Sequence, residues 1–513
     1  VIEVFRDVRL VGAPPTSIGK FGGDTDNWMW PRHTGDFSVF RVYAGPDNRP
    51  ADYSPENRPY KAEKFLKISL GGYDEGDFAM IMGFPGSTQR YMTSYEIDRM
   101  LTITNPQRIF IRGERQVILK EDMAASAKVR IQYASKYAQS SNYWKNSIGK
   151  SRGIRRLDVK GRKQEQEAAF TAWAAKNTLP TEGYSNALNL IRESVEETAP
   201  YFASSQYLSE AIGRSVEILA PARLAVSKKG GELTEALKAF YKDYNMPTDR
   251  RVAKRMFRIV GENCMELPSV FAEVIGKRFG GDTDAYVDYL YDNSVFADER
   301  KALAAAAAGT DVSNDPAVLL NKSYTAKMRE LVAAQLAGKR KFADGQRLYI
   351  AGLMRMQPNK AWASDANFTL RLTYGRVLPY DPADGIHYNY YTTLKGVMEK
   401  ENPQNPTEFT VPARLKELYA AKDFGRYANE RGELPVAFLA DCDITGGNSG
   451  SPVLNAKGAL LGLAFDGNWE AMSGDVAFEP ELQRTIAVDV RYVLFVIDKF
   501  AGAGWLLDEL QFE

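Results

Sequence analysis

Histidine is the scarcest chemistry-bearing residue in this chain, with only His33 and His387 among 513 residues. Cysteine is equally rare. Cys264 and Cys442 lie far apart and in no ligand-like spacing, so zinc and iron–sulfur sites are excluded and no metal or cofactor is expected. Two cysteines leave the redox compartment open. Net charge is missing as well: 66 basic against 65 acidic residues leaves +1, which argues against nucleic acid or an anionic membrane surface as the main partner. No uninterrupted apolar run reaches transmembrane length. The first residues, VIEVFRDVRLVGAPP, carry neither an initiator methionine nor a signal peptide.

What is present is globular. Hydrophobic residues make up 44% and aromatic residues 12%, enough for a large core and for peptide recognition. Residues 1–90 read as short strands ending in Gly or Pro, as in DFSVFRVYAG and in FLKISLGGYDEGDFAMIMGFPGS with its turn at Gly71-Gly72. Residues 91–365 change to apolar positions at helical spacing with charged faces, and ADERKALAAAAAG predicts a helix capped at Gly309. Residues 366–513 return to strands. The expected topology is β, a large all-helical insertion, then β again.

The chemistry concentrates in TGGNSGSPVLNAKGALLGLAF, residues 445–465. Ser449 sits on a glycine-rich turn that leads into a hairpin tipped at Lys457-Gly458. Glycines let the amides of Gly447 and Ser449 converge where the oxyanion of a tetrahedral intermediate would form. This turn resembles the nucleophile loop of chymotrypsin-like serine peptidases. GDFSVFRV, residues 35–42, resembles the strand start that carries their triad aspartate, here Asp36, and the order Asp before Ser is right for that architecture. A base should precede the aspartate by a strand or more. His33 is three residues before Asp36 and His387 follows the insertion, so both are expected to be structural. Two or three strands at most precede Asp36, too few for a barrel. The remaining strands and the base are therefore expected upstream of Val1.

FGGDTDNWMWPRHTGDFSVFRVYAG, followed far downstream by TGGNSGSPVLNAKGALLGLAFDGNWEA, resembles the family-46 serine dipeptidyl-peptidases along nearly the whole chain. The resemblance implies a chymotrypsin-like double β-barrel, its first barrel incomplete here, with an inserted helical domain over the cleft. It implies a histidine base upstream in a His-His-Cys segment, release of dipeptides from free amino termini, homodimers, and a place in the periplasm or envelope of a Gram-negative bacterium. By motif position, Ser449 and Asp36 are triad members. Asn27, Trp28, Asn142 and Asp466 would grip the substrate amine, with Arg32 in support.

Two residues bear on specificity and disagree. Asp443, six before Ser449, has the spacing of a basic-pocket aspartate, which would select Lys or Arg. Gly467, 18 after Ser449, lies where the first pocket is walled. Acidic-specific members of the family carry arginine there, so a glycine favours bulky apolar side chains. Gly467 is the better candidate. Two other classes fit the serine loop: an envelope endopeptidase, and a non-catalytic peptide-binding protein if no base is supplied.

Overall fold

The computed structural model describes residues 2–513. The chain divides into two units, Val1–Arg90 with Ser364–Glu513, and Tyr91–Ala363.

The first unit is mixed β and α. Strands β1 (Asp7–Gly12), β2 (Val39–Ala44) and β3 (Arg58–Pro59) form an antiparallel sheet. Among the described residues a single strand precedes Asp36, where the sequence suggests two or three. On one face of this sheet Val8 opposes Val42 and Leu10 opposes Phe40, and Val8, Leu10 and Phe40 are exposed. Side chains alternate along a strand, so such a face is built to be covered.

The remaining strands are β4 (Phe78–Gly83), β5 (Arg371–Arg376), β6 (Tyr380–Ala383), β7 (Ile386–Tyr388), β8 (Tyr391–Thr393), β9 (Pro435–Ala440), β10 (Pro452–Leu454), β11 (Leu460–Gly467) and β12 (Thr485–Asp489). Seven of them form a sheet in the order β5-β4-β10-β11-β12-β9-β8, while β6 and β7 pair separately. The double barrel expected from the resemblance is not seen as two closed sheets. Closure is nevertheless approached in the larger sheet. A lone bridge joins Val377 to Ala440, and Asp441 N donates to Arg376 O at 3.0 Å, bringing the end of β5 back to β9. Ala79, Ile81, Phe438, Val453, Leu461, Ala464 and Ala487 fill the interior between these strands.

The second unit is helical, with long helices at Asn105–Ala125, Ala127–Arg156, Val159–Asn177, Ala187–Tyr207, Met246–Asn263, Pro316–Ala334 and Leu336–Met356. Its ends are set by local chemistry. Thr93 and Glu96 form a capping box, Asp298 caps the alanine-rich helix Glu299–Ala308, and Gly309 closes that helix at φ 62°. Its core runs through Ile111, Leu208, Met256, Phe257, Leu290 and Leu320. No described helix is long and apolar enough to cross a membrane.

Candidate active site

The glycine-rich turn around Ser449 is held from both ends. Asn448 N donates to Thr445 O at 3.0 Å, Gly450 N to Ala464 O at 2.7 Å, and Gly86 N to Gly446 O at 2.7 Å. Gly447 lies at φ 108°, and a Cβ there would come within 2.4 Å of Phe84 O. Only glycine fits, by conformation and by space. The turn leaves a distinctive pattern of amides. Asn448 N–H and Gly450 N–H are bonded, whereas Gly447 N–H and Ser449 N–H have no protein acceptor among the described residues. Ser449 itself is exposed, and its Oγ makes one long contact, to Phe465 O at 3.5 Å.

That contact ties the serine to β11. The β11–β12 register shifts between Ala464 and Asp466, a bulge at Phe465 that turns the next residues toward a second cluster. In this cluster Asp466 Oδ2 accepts from Trp28 N at 3.0 Å and from Arg32 Nη1 at 2.7 Å, and Oδ1 accepts from Gly467 N at 2.9 Å. The Arg32 and Asp466 side chains are 8% and 9% exposed, so this is a buried ion pair. An ionised carboxylate offers about four acceptor positions. Three are used here, which leaves one on Oδ1.

The segment carrying Trp28 and Arg32 is fixed by more than this pair. Arg32 also donates to Asp26 O and to Thr34 Oγ1, each at 2.7 Å, and lies over the Phe465 ring at 5.1 Å. Trp28 adopts φ 68°, a left-handed conformation costly for a bulky side chain, and this aims its N–H at Asp466. Two residues from the segment after β8 clamp the turn from outside. Lys400 Nζ reaches Asp26 Oδ2 and Pro31 O at 2.8 Å each. Glu408 accepts from Asp24 N at 2.8 Å and from Thr25 Oγ1 at 2.6 Å, while its carbonyl accepts from Gly22 N at 2.8 Å. Burial opposes ionisation of Glu408, yet these donors together hold its pKa below the usual value. Neither Lys400 nor Glu408 stands out in the sequence, because each lies some 370 residues or more from the turn it holds.

Asp36 is open at its surface, but its carboxyl is crowded enough by protein that desolvation raises its pKa. Arg32 opposes that rise and Asp466 adds to it, which places Asp36 in the electrostatic field of the same cluster. Asn27 is half-buried beside Trp28. Gly467 faces the Trp28 ring: a Cβ would lie 3.7 Å from Cζ3 and 3.0 Å from the Ala471 Cβ. Asn142 is half-buried on the helix Ala127–Arg156 and belongs to the helical unit.

Other candidates have different partners. Asp443 is held by Arg90 through two 2.8 Å bonds, one to each oxygen, so its charge is already matched and the basic-pocket reading falls. His33 is buried with Nδ1 unpartnered and Nε2 packed on Gly396. Burial, with Lys400 and Arg32 nearby, pushes its pKa down to about 3. His387 is exposed and bonds Asp381 at 2.7 Å. Neither histidine bonds Ser449. Cys264 and Cys442 are free and buried, and burial raises the Cys442 thiol to about 12.

Comparison with known proteins fixes the lineage of this arrangement. The Peptidase S46 family model matches residues 1–512. The chain belongs to peptidase family S46. With that membership comes its class, a serine dipeptidyl-peptidase. The chain is 49% identical to dipeptidyl-peptidase 7 of Porphyromonas gingivalis, covering 100% of this chain and 73% of that protein. It is 43% identical to the Asp/Glu-specific dipeptidyl-peptidase of the same organism, covering 99% and 73%. Among solved structures, Porphyromonas endodontalis DPP11 in complex with the dipeptide Arg-Glu matches with a TM-score of 0.90 at 39% identity, covering 99% of this chain and 75% of that one.

Proposed function

We propose that this S46 peptidase removes dipeptides from free amino termini and prefers a bulky apolar residue at the second position. The observation that carries the reading is the sharing of β11. Ser449 Oγ contacts Phe465 O, and the next residue is the buried, partly unsatisfied Asp466. On this reading a substrate places its ammonium on the free Oδ1 position of Asp466 and its second carbonyl at Ser449. The ammonium gives a charge-assisted hydrogen bond to a carboxylate already oriented by Arg32 and the Trp28 and Gly467 amides. Asn142's part in amine recognition rests on the family resemblance alone.

Ser449 attacks the second carbonyl, and the unbonded Gly447 and Ser449 amides stabilise the oxyanion. Asp36 orients a histidine supplied by a segment outside these residues. The relatives are longer than this chain, and neither His33 nor His387 is engaged with the serine. The six strands β4, β5 and β9 to β12 are read as one chymotrypsin-like barrel closed at Val377–Ala440. The sheet β1–β3, with its open apolar face, is read as part of a second. Location in the periplasm or cell envelope and a homodimeric state follow from the family resemblance.

The apolar preference rests on Gly467. A glycine between Trp28 and Ala471 leaves the pocket wall uncharged and recessed. Introducing Gly467→Arg into the full-length enzyme is expected to raise cleavage after Asp or Glu at the expense of Leu or Phe. Dipeptidyl-naphthylamides measure this, and a variant that keeps its apolar preference and gains no acidic activity contradicts the pocket assignment.

A further inference from the structure

In the helical unit, Ala187–Tyr207 and Leu336–Met356 cross closely at Gly338, where a Cβ would fall 2.4 Å from Thr198 Cγ2. Beside the crossing lies a cavity of about 380 Å³. Its lining combines the apolar Phe202, Met328, Val332 and Phe342 with the cationic Arg99 and Lys339.

Arg99 is unusual for its setting. Its guanidinium is half-buried and stacks 4.5 Å from the Phe202 ring centroid, yet among the described residues no acceptor bonds its N–H groups and no carboxylate pairs with it. Burial lowers its pKa, with Glu96 opposing, and the Glu96 carboxylate is itself taken by Thr93 in the capping box. Other buried arginines of this unit are matched: Arg112 pairs with Glu210 at 2.8 Å and Arg115 with Glu217 at 3.8 Å. Lys339 likewise has no ion pair among the described residues. The hydroxyls of Thr198 and Ser205 turn back to helix carbonyls, whereas those of Ser194 and Ser209, also in the cavity wall, have no protein partner among the described residues.

A desolvated guanidinium with an empty donor fork is matched by a carboxylate. The apolar residues in the same lining favour more than a bare ion. We propose that this cavity binds a small organic carboxylate carrying an apolar group, its carboxylate on Arg99 and Lys339 and its tail against Met328 and Phe342. The site belongs to the helical unit and stands independently of the peptidase reading.

Calorimetric titration of the whole chain with N-acetyl-leucine tests the proposal. Acetylation removes the amine that Asp466 would hold, so the outcome is separate from that of the exopeptidase reading. Saturable binding is expected, weakened about tenfold or more by Arg99→Gln and only partly by Arg99→Lys, since a charge-assisted bond is lost in one case and retained in the other. N-acetyl-leucinamide, with the same tail and no charge, should bind at least tenfold more weakly. Equal binding of the amide, unchanged binding by Arg99→Gln, or tighter binding of inorganic phosphate than of N-acetyl-leucine overturns the proposal. Should Arg99→Gln fail to fold, the exposed Lys339→Gln carries the test. A severalfold loss supports the assignment, and no loss refutes it.

Discussion

Two sites that meet at the C-terminal end of β11 are finished to different degrees. At Asp466 nearly every polar group has a partner. The carboxylate is buried against Arg32, Trp28 donates from a strained backbone, and Lys400 and Glu408 brace the turn behind them. At Ser449 the pattern is reversed, with an exposed hydroxyl, one 3.5 Å contact and two amides without acceptors among the described residues. The difference teaches how the work is divided. On the proposed reading, amine recognition draws on the braced Asp466 cluster, and the exposed Ser449 turn meets the substrate carbonyl.

The largest effect should come from the open site at Ser449. Ser449→Ala in the full-length enzyme is expected to reduce kcat by about 10⁴-fold or more while leaving the melting temperature unchanged, because the hydroxyl supports little of the fold. Fluorophosphonate labelling of the wild-type serine, absent in the variant, checks the assignment independently.

The finished site at Asp466 should respond in the opposite way. Asp466→Asn leaves Arg32 buried without its counter-charge, a loss of about 3–5 kcal/mol in stability for a pair this enclosed. Thermal or denaturant unfolding measures it. A variant as stable as wild type would mean that the anchor is less tightly built than its bonds indicate.

Lys400→Met touches neither substrate nor serine. It removes the cation from Asp26 and loosens the turn that presents Trp28 and Arg32. An increase in KM of roughly tenfold for free-amine substrates is expected with kcat little changed, the signature of lost ground-state positioning. A fall in kcat alone would place Lys400's influence at the chemistry instead.

The smallest effect is a pH dependence. Because surrounding protein raises the folded-state pKa of Asp36, its ionised form carries a stability deficit. That deficit is fully present above the folded-state pKa and disappears as pH falls below the unfolded value. Asp36→Asn should therefore leave stability at neutral pH equal or slightly higher, even as activity falls. Carboxyl NMR should find Asp36 of this chain titrating above the ordinary Asp range.

Much of the serine turn was legible in the sequence because its requirements are local. Gly447 and Gly450 both take positive φ, and the hairpin after them turns at Gly458. Helices were legible for the same reason, down to the cap at Gly309. Legibility stopped where partners are distant in sequence. Asp443 had a persuasive spacing, but its charge belongs to Arg90, 353 residues away. Asp466 and Arg32 were named together only through the family resemblance, since nothing local in the sequence pairs residues 434 apart. The strand count before Asp36 also differed. Of the described residues in the apolar opening segment only those from Asp7 on pair in a sheet, and β propensity without a partner strand does not make a strand.

The central claim is that Asp466 reads a free amino terminus two residues from the bond cut at Ser449. The most direct measurement is the ratio of kcat/KM for a free-amine peptide to that for its N-acetylated counterpart, in the full-length enzyme and in Asp466→Asn. A ratio of about 100 or more in the wild type, collapsing toward one in the variant, is expected from loss of a charge-assisted contact and an unmatched ammonium. Equal cleavage of both peptides by the wild type, or a ratio untouched by Asp466→Asn, would contradict the account.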